Sequence, residues 1–73
     1  MTFQIKINKT VNKTYWVELF NAINGIRYHF SELDDHDQVR HLINDWIEKY
    51  KLKGDRPNIY WELLPISIIL KNH

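Results

Sequence analysis

The sequence predicts a single small α+β domain over residues 1–73. Its parts are a three-stranded antiparallel meander (about 2–8, 14–23 and 26–33), one helix (about 35–52) packed on one face, and a C-terminal strand (about 66–71) joining the sheet. Three observations carry this reading. Residues 2–8 alternate apolar and polar, two β-rich runs flank the pair Asn24-Gly25, and from Val39 to Tyr50 apolar residues recur at spacings of three and four.

In the first run, Phe3, Ile5 and Ile7 fall on one side and Gln4, Lys6 and Asn8 on the other, as in a half-buried strand. The polar outer side suits an edge strand, where charged residues discourage sheet-to-sheet pairing. The polar segment 9–13 then turns the chain back. Asn-Gly between strand-forming runs is the strongest short-range hairpin signal. Pairing Ile23 with Ile26 across a two-residue Asn24-Gly25 turn sorts the hairpin into two faces, because strand side chains alternate. One face carries Tyr15, Val17, Leu19, Ile23, Ile26, Tyr28 and Phe30, interrupted by Asn21, and is the expected core face. The other carries Trp16, Glu18, Phe20, Ala22, Arg27, His29 and Ser31, with Phe20 opposite His29 and Ala22 opposite Arg27.

The stripe Val39, Leu42, Ile43, Trp46, Ile47 and Tyr50 belongs to one side of an α-helix and is the natural cover for the core face. Asp34 or Asp35 serves as N-cap, with Gln38 in capping-box position, and Lys49, Lys51, Lys53 and Gly54 mark the end. Residues 55–64 are compatible with a short helix opened by Asp55 and Pro57, or with a strand through Ile59-Tyr60-Trp61. Ile66-Ser67-Ile68-Ile69-Leu70 reads as a closing strand rich enough in β-branched residues to be buried on both faces.

Composition narrows the functional classes. The chain has no cysteine, so disulfides, thiolate zinc sites and cysteine nucleophiles are excluded and a cytoplasmic setting is favoured. Ten Lys plus Arg against nine Asp plus Glu leave a net charge of +1, which argues against a protein that coats polyanions. The charges are nevertheless blocked: Lys6, Lys9 and Lys13 early, Glu32, Asp34, Asp35 and Asp37 in the middle, and Lys49, Lys51, Lys53 and Arg56 against Asp55 late. The longest apolar run falls far short of the roughly 20 residues a membrane span needs, so no membrane partner is expected. One Ala beside ten Ile, seven Asn and seven Lys matches an AT-rich coding genome, as in many phages and mobile elements.

No catalytic motif is present. With only Gly25 and Gly54 a Gly-rich phosphate loop is impossible, and HExxH is missing. Asp37, His41 and Asp45 share a helix face, but its outer members lie about 12 Å apart along the axis, too far for one ion, so neither metal nor cofactor is expected. The least remote enzymatic arrangement is a small nuclease pairing His29 with Glu18. A non-enzymatic protein-interaction module is the expected function, with Trp16, Phe20, Arg27 and His29, joined by Tyr60 and Trp61, as candidate contacts; aromatics and Arg dominate protein hot spots. The alternative is a nucleic-acid binder that uses these aromatics for stacking and Lys6, Lys9, Lys13, Lys49, Lys51, Lys53 and Arg56 for phosphates. A homodimer with this face as its seam is the third possibility.

Overall fold

The computed structural model describes residues 1–53 and 56–72. Five strands form one antiparallel sheet: β1 (Thr2–Lys9), β2 (Tyr15–Asn21), β3 (Arg27–Leu33), β4 (Leu52–Lys53) and β5 (Ile66–Asn72). Their order across the sheet is β3-β2-β1-β5-β4. One helix, α1 (His36–Lys49), covers one face, and a single 3₁₀ turn (Trp61–Leu63) precedes β5. The expected meander, helix and C-terminal strand are therefore all present.

The alternation in β1 does what it implies. Phe3, Ile5 and Ile7 are fully buried and meet Val17 and Leu19 of β2 and Val39, Ile43, Trp46 and Ile47 of α1 in one core. Strand β1 is central rather than an edge, because β5 pairs with its free side, setting Ile5 opposite Ile68 and Phe3 opposite Leu70. Nor is β5 buried on both faces: its residues alternate half-buried and exposed, since only one side of the sheet has a cover.

The helix starts as its sequence dictates. The Asp35 carboxylate accepts from Gln38 N at 2.9 Å, and the Gln38 side chain returns to accept from Asp34 N at 3.0 Å. Its end comes earlier than position 52. Tyr50 caps it, Lys51 takes the left-handed conformation (φ 54°), and Leu52 turns into the core as part of β4, opposite Asn72. Gly54 and Asp55, expected to close the helix and to open the next element, lie outside the described residues.

The hairpin departs most from expectation. Ile23 and Ile26 do not pair; they stand in water, 81% and 56% exposed. A two-residue turn of the expected kind needs positive φ at both central residues, and here Gly25 (φ 75°) has it while Asn24 does not. The buried Asn21 side chain instead accepts from the backbone N–H groups of Ile23 and Asn24, at 2.9 and 3.2 Å. Its carbonyl accepts from Gly25 N, and its N–H donates to Ile26 O. The strands thus stop at Asn21 and Arg27. A bulge follows: Phe20 faces Arg27, but Leu19 faces His29, leaving Tyr28 as the extra residue. Beyond the bulge the register is one residue off the expected one, which inverts that part of β3.

Removing the Asn21 side chain deprives two backbone donors of their acceptor and takes away the amide that donates to the Tyr28 hydroxyl at 3.1 Å. Asn21→Ala should lower the unfolding free energy by about 1–3 kcal/mol in urea denaturation. Asp35→Ala, which removes the cap alone, should cost about 1 kcal/mol in the same measurement.

Candidate functional site

The register defines the sheet face that α1 leaves uncovered. Reading from β5 to β3, one row holds Ile69, Gln4, Phe20 and Arg27; the next holds Ser67, Lys6, Glu18 and Phe30; a third holds Asn8, Trp16 and Glu32. Of the expected contacts, Trp16, Phe20 and Arg27 lie here. Phe30, assigned by sequence to the core, also lies here and is 52% exposed. His29 does not, because the one-residue slip exchanges it with Phe30.

The side chains on this face are organised into one continuous assembly. The Trp16 and Phe30 rings stack at 5.1 Å and 23°, and the Arg27 guanidinium lies over the other ring of that pair, 4.3 Å from the Phe30 centroid. Arg27 Nη1 donates to Glu18 at 3.1 Å. Glu18 sits opposite Lys6 in register, yet it engages Arg27, and Lys6 Nζ rests 4.9 Å from the centre of the Phe20 ring. Glu32 accepts a short hydrogen bond from the Thr14 hydroxyl at the margin. Both carboxylates are thus occupied. Arg27 is held over an aromatic ring and tethered by one ion pair, a positioned guanidinium of the kind that engages carboxylates and ring faces.

On the covered side, His29 Nε2 and the Tyr50 hydroxyl are 2.7 Å apart, with the imidazole stacked 6.1 Å from Trp46. Tyr28, displaced to this side by the bulge, contacts Phe3 and Tyr50. At the other end of α1 the pattern recurs: His36 Nε2 lies 2.7 Å from the Tyr15 hydroxyl, and its ring stacks on Trp61 at 3.8 Å and 2°. Two tyrosine–histidine pairs thus fasten the sheet to the two ends of the helix. His29 is a fastening rather than a surface contact, and Glu18 and His29 face opposite sides of the sheet, so the nuclease pair does not converge. Trp61 also lies on the covered side, edge-on to Tyr15 and beneath Arg40. Tyr60 is exposed beside it.

The remaining candidates disperse. Lys9 and Lys13 lie at the end of the sheet near the start of α1, Lys49, Lys51 and Lys53 at the opposite end, and Arg56 pairs with Glu48 at 3.4 Å. The aspartates 34, 35 and 37 line an open depression with Tyr15, His36 and Arg40, and Asp37 pairs with Arg40. No group of three or more metal-ligating side chains is found among the described residues. No helix among them is long and apolar enough to cross a membrane. Neither a protein-family model, nor a curated protein, nor a solved structure matches this chain.

The sequence signal that could have placed Phe30 outside was Asn21, a polar residue in the middle of the expected core face. Since the Tyr50 hydroxyl makes its bond to His29 in the half-buried layer, Tyr50→Phe should cost about 1 kcal/mol of stability by urea denaturation while leaving the outer face intact.

Proposed function

We propose that this chain is a non-enzymatic protein-interaction module that docks through the uncovered sheet face, centred on Trp16, Phe20, Arg27 and Phe30. The observation that carries this reading is the stack of Trp16, Phe30 and Arg27 tethered by Glu18. It sets a large aromatic surface and a pre-oriented guanidinium side by side, the residue types on which interface energy concentrates. Nucleic acid is a poorer fit for the same surface, because Glu18 lies in its middle and Glu32 at its rim, where a phosphate backbone would have to pass. The Ile-, Asn- and Lys-rich, Ala-poor composition suits a cytoplasmic phage or mobile-element protein that binds and inhibits or redirects a host protein.

Capture from a host lysate followed by calorimetric titration of the captured protein tests this reading. Trp16→Ala and Arg27→Ala should each weaken binding by about 2 kcal/mol or more, roughly 30-fold. The melting temperature should stay within a few degrees. Retained affinity in both variants would refute the assignment of the face. A gel shift that collapses steeply with salt would support the nucleic-acid alternative instead. A wild-type dimer that Trp16→Ala converts to a monomer on size exclusion would identify the partner as a second copy.

A further inference from the structure

The end of the sheet that holds the hairpin turn has a different chemistry, which the proposed docking face does not use. Ile23 and Ile26 project there into water, and Met1 beside them is 63% exposed. Exposed isoleucines on a loose loop would be unremarkable. These two sit on a turn fixed by five hydrogen bonds: from Asn21 N, Gly25 N, Ile23 N, Asn24 N and Ile26 N. The protein therefore presents two aliphatic side chains to solvent from a fixed backbone, with little backbone ordering entropy left to lose on contact.

The same end is cationic. The segments that meet there are tied together by Thr2 O accepting from Ala22 N, Met1 O accepting from Asn72 N, and the pairing of Leu52 and Lys53 with Asn72 and Lys71. Among the described residues there, 1–3, 20–26, 49–53 and 70–72 contain Lys49, Lys51, Lys53 and Lys71 and no Asp or Glu. Lys53 and Lys71 stand directly opposite each other across β4 and β5, both exposed. Like charges so placed are destabilising, and neither lysine has a salt-bridge partner among the described residues. The carboxylate of Glu48, adjacent to Lys49 in sequence, is taken by Arg56.

We propose that this end docks on an anionic lipid bilayer, with Ile23 and Ile26 entering the acyl boundary and Lys49, Lys51, Lys53 and Lys71 facing the headgroups. Only such a surface presents a broad plane of negative charge with hydrocarbon about 5–10 Å beneath it, and so engages both the lysines and the isoleucines at once. A phosphodiester chain would use the lysines and leave the isoleucines in water. Docking through the ends of the strands leaves the Trp16–Arg27 face free, so this inference does not rest on the proposed function.

Co-sedimentation with unilamellar vesicles provides the test. Vesicles of phosphatidylcholine with about 30 mol % phosphatidylglycerol should bind the protein at least tenfold more strongly than phosphatidylcholine alone, given a contribution of about 1 kcal/mol per lysine at the surface. Ile23→Ser/Ile26→Ser should reduce partitioning roughly tenfold or more. Lys53→Gln/Lys71→Gln should reduce it by a similar factor on anionic vesicles and have no effect on neutral ones. All four positions are exposed, so neither variant should melt below wild type, and relief of the Lys53–Lys71 repulsion should leave the lysine variant equal to it or slightly above. Equal binding to the two vesicle types overturns the proposal, and so does an isoleucine variant that partitions like wild type. Binding to a thymidine 20-mer that survives the isoleucine substitutions, without vesicle binding, would assign the lysines to nucleic acid and overturn it as well.

Discussion

One side-chain amide sets the arrangement of this protein. Asn21 is the last residue of β2, buried, and its oxygen takes up two consecutive backbone N–H groups that a tight turn would have left to water. The turn therefore closes over five residues instead of two. The chain recovers its pairing only by inserting Tyr28, and from that point every side chain of β3 lies on the side opposite to a simple hairpin's. His29 and Leu33 go under the helix; Phe30 and Glu32 go outside. Both faces of the molecule are consequences of this local competition between a side-chain acceptor and the ladder.

The two faces are held to different standards of chemistry. Under α1, aliphatic residues of β1 and β2 fill the centre, and tyrosine–histidine pairs at the two ends supply directional bonds where the core thins toward solvent. Outside, the contacts are of aromatic rings with cations, interactions that survive in water because the ring face stays attractive to a charge that keeps part of its hydration. Such a surface is stable when exposed and still gains when covered. The charge blocks are redistributed by the fold too: the aspartates gather at the start of α1 and most of the late lysines at its finish, which places each sign where the helix dipole favours it.

Much of this was legible in residue order. Periodicity located β1 and α1, since a period of two and a stripe at three and four have single structural solutions once each must bury one side. Strand β5 was marked instead by its β-branched run, which gave the strand but not its one-sided burial. The helix start was narrowed to Asp34 or Asp35, and Asp35 takes the cap because its acceptor reaches the local N–H of Gln38. Trp16, Phe20 and Arg27 were placed on the open face correctly, Arg27 because the slip at the tip amounts to two residues and so restores its side. Phe30 and His29 were exchanged because an Asn-Gly pair advertises one turn while Asn21, three positions earlier, enforces another. Strand β4 was invisible: two residues give no period, and Leu52 is drawn from the helix by the pairing available at the end of β5. The segment before Pro65 likewise takes its path from tertiary contacts, the stacking of Trp61 on His36 above all.

The bulge has a consequence for the rim of the sheet. Strand β3 has a neighbour on only one flank, so its other flank presents unmatched amide groups along seven residues. A straight strand in that position would be a template on which an unfolded or foreign chain could lengthen the sheet. The extra residue between Arg27 and His29 breaks the spacing of those groups and adds local twist, so that no regular strand can match them along the whole length. The irregularity that turns Phe30 outward thereby also guards the protein against growing by its own border.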